Sequence, residues 1–160
     1  GRTFISPGQD SRLDKVRIKL NPIREEVAGK RVMIIDDSIV RGTTSGQIVK
    51  LLRDAGAIEV HMRISAPPFM NLCYYGTDID SRENLIACHH SVDEIADIIG
   101  ADSLGFLPEE ELRSLVGCDE YCHACFSGEY PTAIPVSTQK DRFEAKLSDK
   151  DREPGTQDKK

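Results

Sequence analysis

Apolar and polar positions change their spacing several times along the chain, and each change marks an element. Arg31-Val32-Met33-Ile34-Ile35-Asp36 holds four consecutive apolar residues ending in acid, the pattern expected of a parallel strand buried on both faces. From Thr44 to Ala55 the apolar positions Ile48, Val49, Leu51, Leu52 and Ala55 fall at helical spacing, with Gly56 as the stop. Val60, Met62 and Ile64 then alternate within Glu59 to Ser65, predicting a second strand. A strand, a helix and a strand in this order form a right-handed parallel unit, so the predicted class is α/β.

Further on, Ser91-Val92-Asp93-Glu94 reads as a capping box ahead of Ile95, Ile98 and Ile99, and Gly100 closes that helix. Pro108 opens another helix through Leu115. Residues 1–30 are polar and basic, with turn signals at Pro7-Gly8 and Asn21-Pro22, and are expected to form a loop or irregular hairpin. Beyond residue 136, 13 of 24 residues are charged and only Phe143, Ala145 and Leu147 are apolar, too few to offset ordering entropy. That tail is expected to be disordered. No internal repeat is visible.

The chain has 160 residues, room for one domain or most of one with a tail. A net charge of -6 leaves no basic surface for a nucleic-acid backbone, so nucleic acid is not expected as a partner. No apolar run approaches the roughly 20 residues that span a bilayer, and no charged-then-apolar leader opens the chain, so a cytoplasmic location is expected. Gly1 runs straight into Arg2-Thr3-Phe4-Ile5, a strand-like start without a cap, which reads as a C-terminal fragment of something longer. The five cysteines, Cys73, Cys88, Cys118, Cys122 and Cys125, are an odd number, and a reducing compartment disfavours disulfides. Metal binding or burial is expected of them instead.

Chemistry concentrates where the first strand ends. Asp36 and Asp37 stand at the carboxyl end of a strand, where open α/β sheets bind ligands. Ser38, Arg41, Gly42, Thr43, Thr44 and Ser45 follow at a helix N-terminus and supply backbone amides, hydroxyls and the positive end of the helix dipole for a phosphate. Acid for sugar hydroxyls beside an amide cradle describes a phosphorylated ribose. Neither a Walker loop nor the dinucleotide fingerprint is present. A strand end plus a helix cap would account for Asp36 or Thr44 singly, but not for the run.

Val32-Met33-Ile34-Ile35-Asp36-Asp37-Ser38-Ile39-Val40-Arg41-Gly42-Thr43-Thr44-Ser45 resembles the phosphoribosyl pyrophosphate (PRPP) loop of type I phosphoribosyltransferases, and most closely that of the amidophosphoribosyltransferase family. The resemblance runs from Gly1 to about Thr132 and leaves out only the charged tail. It implies a partial type I phosphoribosyltransferase fold: residues 1–116 as the transferase part, with 1–30 its flexible loop region and 31–66 the PRPP-loop unit. Residues 117–136 would be an iron-sulfur ligand segment and 137–160 the tail.

The implied reaction is displacement of pyrophosphate from C1 of PRPP by glutamine-derived ammonia, giving 5-phosphoribosylamine, the first committed step of purine synthesis. The resemblance assigns Asp36 and Asp37 to the ribose hydroxyls and the Mg²⁺ site, Ser38 and Arg41 to Ser45 to substrate, and Lys19 and Arg2 to the pyrophosphate. On composition alone those two cations are equally well read as a solvated basic face. Purine nucleotides are implied as feedback inhibitors and a homo-oligomer as the intact assembly.

Cys122-His123-Ala124-Cys125-Phe126-Ser127-Gly128-Glu129-Tyr130-Pro131-Thr132 resembles the family's cysteine-containing ending, in which two cysteines ligate a 4Fe-4S cluster. Cys73 matches a third ligand, and the fourth would lie upstream of Gly1. Cys118 could complete a four-thiolate set within the chain, which a tetrahedral zinc would also accept. Buried thiols remain a third reading. Cys88, flanked by apolar residues, is expected to be packed, and His61, His89, His90 and His123 are expected in surface or core roles. Two other functions compete: a non-catalytic PRPP-responsive regulator, and a purine salvage phosphoribosyltransferase. The cysteine-rich ending distinguishes the chain from both.

Overall fold

The computed structural model describes residues 20–77, 79, 81–116 and 121–134. The expected loop residues Arg2 and Lys19, Cys118 and the charged tail lie outside the described residues.

Three strands, β1 (Arg31–Asp36), β2 (Glu59–Ile64) and β3 (Ser103–Phe106), form a parallel sheet in the order β1-β2-β3. Val32 pairs with Val60 and Ile34 with Met62, while Met62 pairs with Leu104 and Ile64 with Phe106, so these side chains share one face. The crossover helices between the strands are α2 (Thr43–Asp54) and α3 (Val92–Ile99), and they pack on each other and on the sheet. Because both crossovers step the same way across the sheet, one handedness puts both helices on the same face. Val49 from α2, Ile95 and Ile99 from α3, and Val60, Met62 and Ile64 from β2 close the core there. Each such side chain contributes about 1.5–3 kcal/mol relative to exposure.

The sequence expectation and the structure part company at β1. Burial on both faces is not met among the described residues: Met33 is 61% and Ile35 76% exposed. The strand alternates because all the described helices that pack on the sheet cover the opposite face. The outer face instead carries a polar chain. Arg31 Nε donates to Glu59 Oε2 (2.6 Å), His61 lies 3.0 Å from Glu59 Oε2 and 2.9 Å from Ser103 Oγ, and Arg63 Nη1 donates to Ser103 Oγ (3.0 Å).

The capping box is formed as expected, with Glu94 N–H donating to Ser91 Oγ (3.3 Å), Ser91 N–H donating to Glu94 Oε2 (2.7 Å), and Gly100 left-handed at the C-terminal end of α3. The helix expected after Pro108 is α4 (Glu109–Val116), with three glutamates favouring its N-terminal dipole end. A one-turn helix α1 (Arg24–Val27), strand β3 and the 3-10 turns Arg82–Asn84 and Ile86–Cys88 were not anticipated. They are short, and short elements carry too little periodicity to announce themselves.

Candidate functional site

Asp36 closes β1, and its carbonyl accepts from both Ser65 N–H (2.9 Å) and Ser65 Oγ (3.1 Å), which ties the strand end to the end of β2. Its carboxylate Oδ1 accepts from Asp37 N–H (3.0 Å), and Asp37 Oδ1 accepts from Ser38 Oγ (2.9 Å). Burial pushes the Asp36 carboxyl above the ordinary range; the Asp37 amide pulls it back and the Asp37 charge adds to the rise. The two acids are unequal: Asp36 is half-buried and Asp37 exposed.

The chain then dips into the core at Ile39, 2% exposed, and re-emerges through Arg41. Gly42 is the N-cap of α2 in the left-handed region, φ 76°. A β-carbon there would meet Ile86 Cδ1 at 2.9 Å and Ile99 Cγ2 at 3.4 Å, so glycine is required both for the backbone turn and for the close approach. With glycine as cap, no side chain caps the first-turn amides, and the first turn carries no acid. Anions bind at such ends, because amides and dipole both point at them. Thr43 and Thr44 are half-buried and Ser45 is buried beside them. Asp36, Asp37, Ser38, Arg41, Gly42, Thr43, Thr44 and Ser45 thus form one continuous run from the end of β1, through the connecting loop, into the first turn of α2.

The three cysteines Cys73, Cys122 and Cys125 line one cavity of about 160 Å³, which Thr77 and Tyr130 also border. What holds its two sides together is a set of bonds between distant segments. Cys125 carbonyl accepts from Met70 and Asn71 N–H (both 3.0 Å), Asn71 Nδ2 donates to Phe126 carbonyl (3.2 Å), and Tyr130 Oη donates to Leu72 carbonyl (2.8 Å). The Phe69 and Phe126 rings meet at a tilt of 37° with centroids 5.0 Å apart. The one-turn helix α5 (Ala124–Ser127) ends at left-handed Gly128, against Asn71.

Burial would raise the Cys73 thiol, but backbone amides of Tyr75, Thr77 and Gly76 outweigh it and the net shift is downward; Thr77 N–H reaches Sγ at 3.3 Å. Cys125 goes the other way, pushed up to about 11 by burial and by the neighbouring Cys73 and Cys122 sulfurs. A half-buried thiol whose ionisation two neighbouring sulfurs oppose is one that a cation would relieve. Among the described residues, no three His, Cys, Asp or Glu side chains converge at the spacing of a single bound ion. Cys88 stands apart from the cavity lining, its Sγ donating to Met70 carbonyl (3.3 Å), in keeping with a packed role. His123 lies 3.1 Å from Glu109, and His61 belongs to the outer polar chain.

Sequence reasoning missed Ile86, Ser65 and Thr77. Ile86 and Ser65 act on residues distant in the chain, and Thr77 acts on the nearby Cys73 through its backbone N–H, which no side-chain pattern signals.

A parallel α/β sheet with paired acids and a glycine-capped helix at its carboxyl edge puts the candidate site where open α/β sheets bind their ligands. No protein-family model matches the chain. Curated relatives do: amidophosphoribosyltransferase of Synechococcus elongatus is 53% identical over 147 residues, 89% of this chain and 29% of its own length. The chloroplastic enzyme of Glycine max is 56% identical over 133 residues (82% and 23%), and the amidophosphoribosyltransferase of Archaeoglobus fulgidus is 52% identical over 139 (84% and 30%). Among solved structures, the glutamine PRPP amidotransferase of B. subtilis, complexed with ADP and GMP, superposes with a TM-score of 0.70 at 53% identity, covering 86% of this chain and 32% of that one. Over the matched span, the chain is homologous to amidophosphoribosyltransferases. It spans less than a third of the length of these relatives. No described helix is long and apolar enough to cross a membrane.

Proposed function

We propose that this chain is the PRPP-binding portion of an enzyme that forms 5-phosphoribosylamine from PRPP and glutamine-derived ammonia, opening purine synthesis. The observation that carries this is the paired acids Asp36-Asp37 running directly into the glycine-capped N-terminus of α2. In this reading the 5-phosphate sits on the amides and hydroxyls of Arg41 to Ser45, and the ribose hydroxyls are accepted by the two carboxylates. Lys19 and Arg2 would meet the pyrophosphate. The C1–O bond to pyrophosphate breaks, the C1–N bond forms, and the ammonia nitrogen loses a proton. The protein's part is electrostatic stabilisation of positive charge at C1 and negative charge on the leaving group.

Mg²⁺, bound mainly through pyrophosphate oxygens and waters with Asp36 and Asp37 in support, would neutralise that leaving group. The cavity between Cys73, Cys122 and Cys125 suits a 4Fe-4S cluster better than a mononuclear zinc. Zinc draws its thiolates to about 2.3 Å from one point, whereas a cluster fills a volume that its ligands line. Amide donors to Cys73 are the hydrogen bonds that tune such sulfurs. The fourth ligand would lie outside this chain. The cluster's role is structural, a tie between the segments around Asn71 and Cys125.

The ADP and GMP in the B. subtilis structure support purine nucleotides as feedback inhibitors, and a homo-oligomer remains part of the proposal. Water-soluble phosphate esters as substrates suit a cytoplasmic setting. A PRPP-responsive regulator or a salvage transferase would share the loop but have no use for the cysteine cavity. In the full-length protein, Asp36→Asn is expected to abolish PRPP turnover while glutamine hydrolysis continues; retention of both activities would overturn the reading.

A further inference from the structure

We propose that the 3-10 turn Ile86–Cys88 is a positioning device that holds the phosphate loop in its binding shape and links it to the cysteine cavity. The inference rests on the PRPP reading above and deepens it.

On one side the turn grips the loop at two points. Ile86 N–H donates to Val40 carbonyl (2.9 Å), and the Ile86 Cδ1 methyl lies so close to Gly42 that a β-carbon there would force one of the two to shift. Ile86 is 9% exposed and belongs to the main core with Ile39 and Ile99, so its side chain has little room to swing away. Gly42 sets where the amides of α2 point. A shift of Ile86 therefore re-aims the cradle.

On the other side the turn is fastened to the cysteine segments. Leu85, fully buried, packs in a second cluster with Phe69, Cys73 and Ile79, against which Val40, Cys88 and Cys125 also lie. Cys88 Sγ donates to Met70 carbonyl (3.3 Å), and Met70 N–H donates to Cys125 carbonyl (3.0 Å). Each step from Cys125 to Val40 is thus a packed contact or a hydrogen bond. Cys88 is a tie in this path, and Ile86 is the part that touches the loop.

Phosphate gripped by the loop is bound alike in ground and transition states, so loosening the loop weakens PRPP binding more than it slows the bound complex. In the full-length protein, assayed with PRPP and ammonia, Ile86→Ala is expected to raise KM for PRPP roughly tenfold, with kcat within about twofold. Iron content should stay at the parental value. Ile86→Val should recover most of the loss, and Cys88→Ala should raise KM in the same direction, while Cys88→Ser keeps a donor and recovers it. A role in stability alone would lower the melting temperature and the active fraction, and so kcat, without moving KM.

An unchanged KM in Ile86→Ala overturns the proposal, whatever happens to the melting temperature. Should Ile86→Ala fail to fold, an unchanged KM in Cys88→Ala overturns it. The two readings fail separately. If Asp36→Asn abolishes turnover and the Ile86 variants keep the parental KM, only the positioning role falls. If Asp36→Asn leaves turnover intact, the PRPP assignment itself falls.

Discussion

Gly42 and Ile86 meet where the loop after β1 enters α2, and the Ile86 Cδ1 methyl lies only 2.9 Å from where a β-carbon on residue 42 would stand. The helix α2 is thus capped by a residue chosen twice over, once by φ and once by contact. Gly100 shares the positive φ of 76° but has Val49 Cγ1 at a comfortable 3.8 Å.

That pair sets a graded expectation. Gly100→Ala pays only the backbone penalty, about 1 kcal/mol, whereas Gly42→Ala adds a clash in the core and should cost about 3 kcal/mol or more. Urea denaturation of the full-length variants measures both; equal losses would show that the Ile86 contact gives way freely.

Asp36→Asn and Asp37→Asn should each lower PRPP-dependent turnover by roughly a hundredfold or more, with glutamine hydrolysis retained. Asp36 adds a second readout. Its folded-state carboxyl is raised above the unfolded value of 3.8, so at neutral pH the buried charge is a burden on the fold. That burden is fully present above the raised folded value and fades as pH falls toward 3.8. Asp36→Asn should therefore melt no lower than the parent at pH 7, and any gain should vanish in acid. A lowered melting temperature at pH 7 would contradict this.

Asp102 is the opposite case. Val60 N–H and Arg53 Nη2 both donate to its Oδ2 at 2.6 Å, and the backbone bond above all holds its carboxyl below 3.8. A lowered folded value contributes stability above the unfolded value and loses it as pH falls through the folded one. Asp102→Ala should lower the melting temperature at pH 7, and the gap from the parent should narrow below pH 3.8. A gap independent of pH would assign the effect to packing.

Purified without oxygen, the full-length protein should hold about four irons and four sulfides per chain. Cys73→Ser, Cys122→Ser and Cys125→Ser should lose the cluster and the fold together, since metal-binding free energy is then folding free energy. Cys88→Ser should keep its iron. Elemental analysis decides: stoichiometric zinc without sulfide would favour a four-thiolate site that includes Cys118.

Local pattern alone determined the elements whose physics is local. The 3.6-residue spacing of Val49 and Leu52, the Ser91–Glu94 capping box and the run from Asp36 to Ser45 were all legible, because each depends on neighbours a few residues away. Tertiary structure decided what depends on distant partners. It left Met33 and Ile35 facing outward from a strand that reads as buried on both faces, because the described helices that pack on the sheet lie on its other side. It brought Cys73 into one cavity with Cys122 and Cys125 through bonds that no spacing encodes. It set Ile86 against Gly42, a contact between a turn too short to show periodicity and a glycine whose φ is fixed by packing. Spacing carries information only over a helical turn or a strand; burial and register are settled by which surfaces find each other.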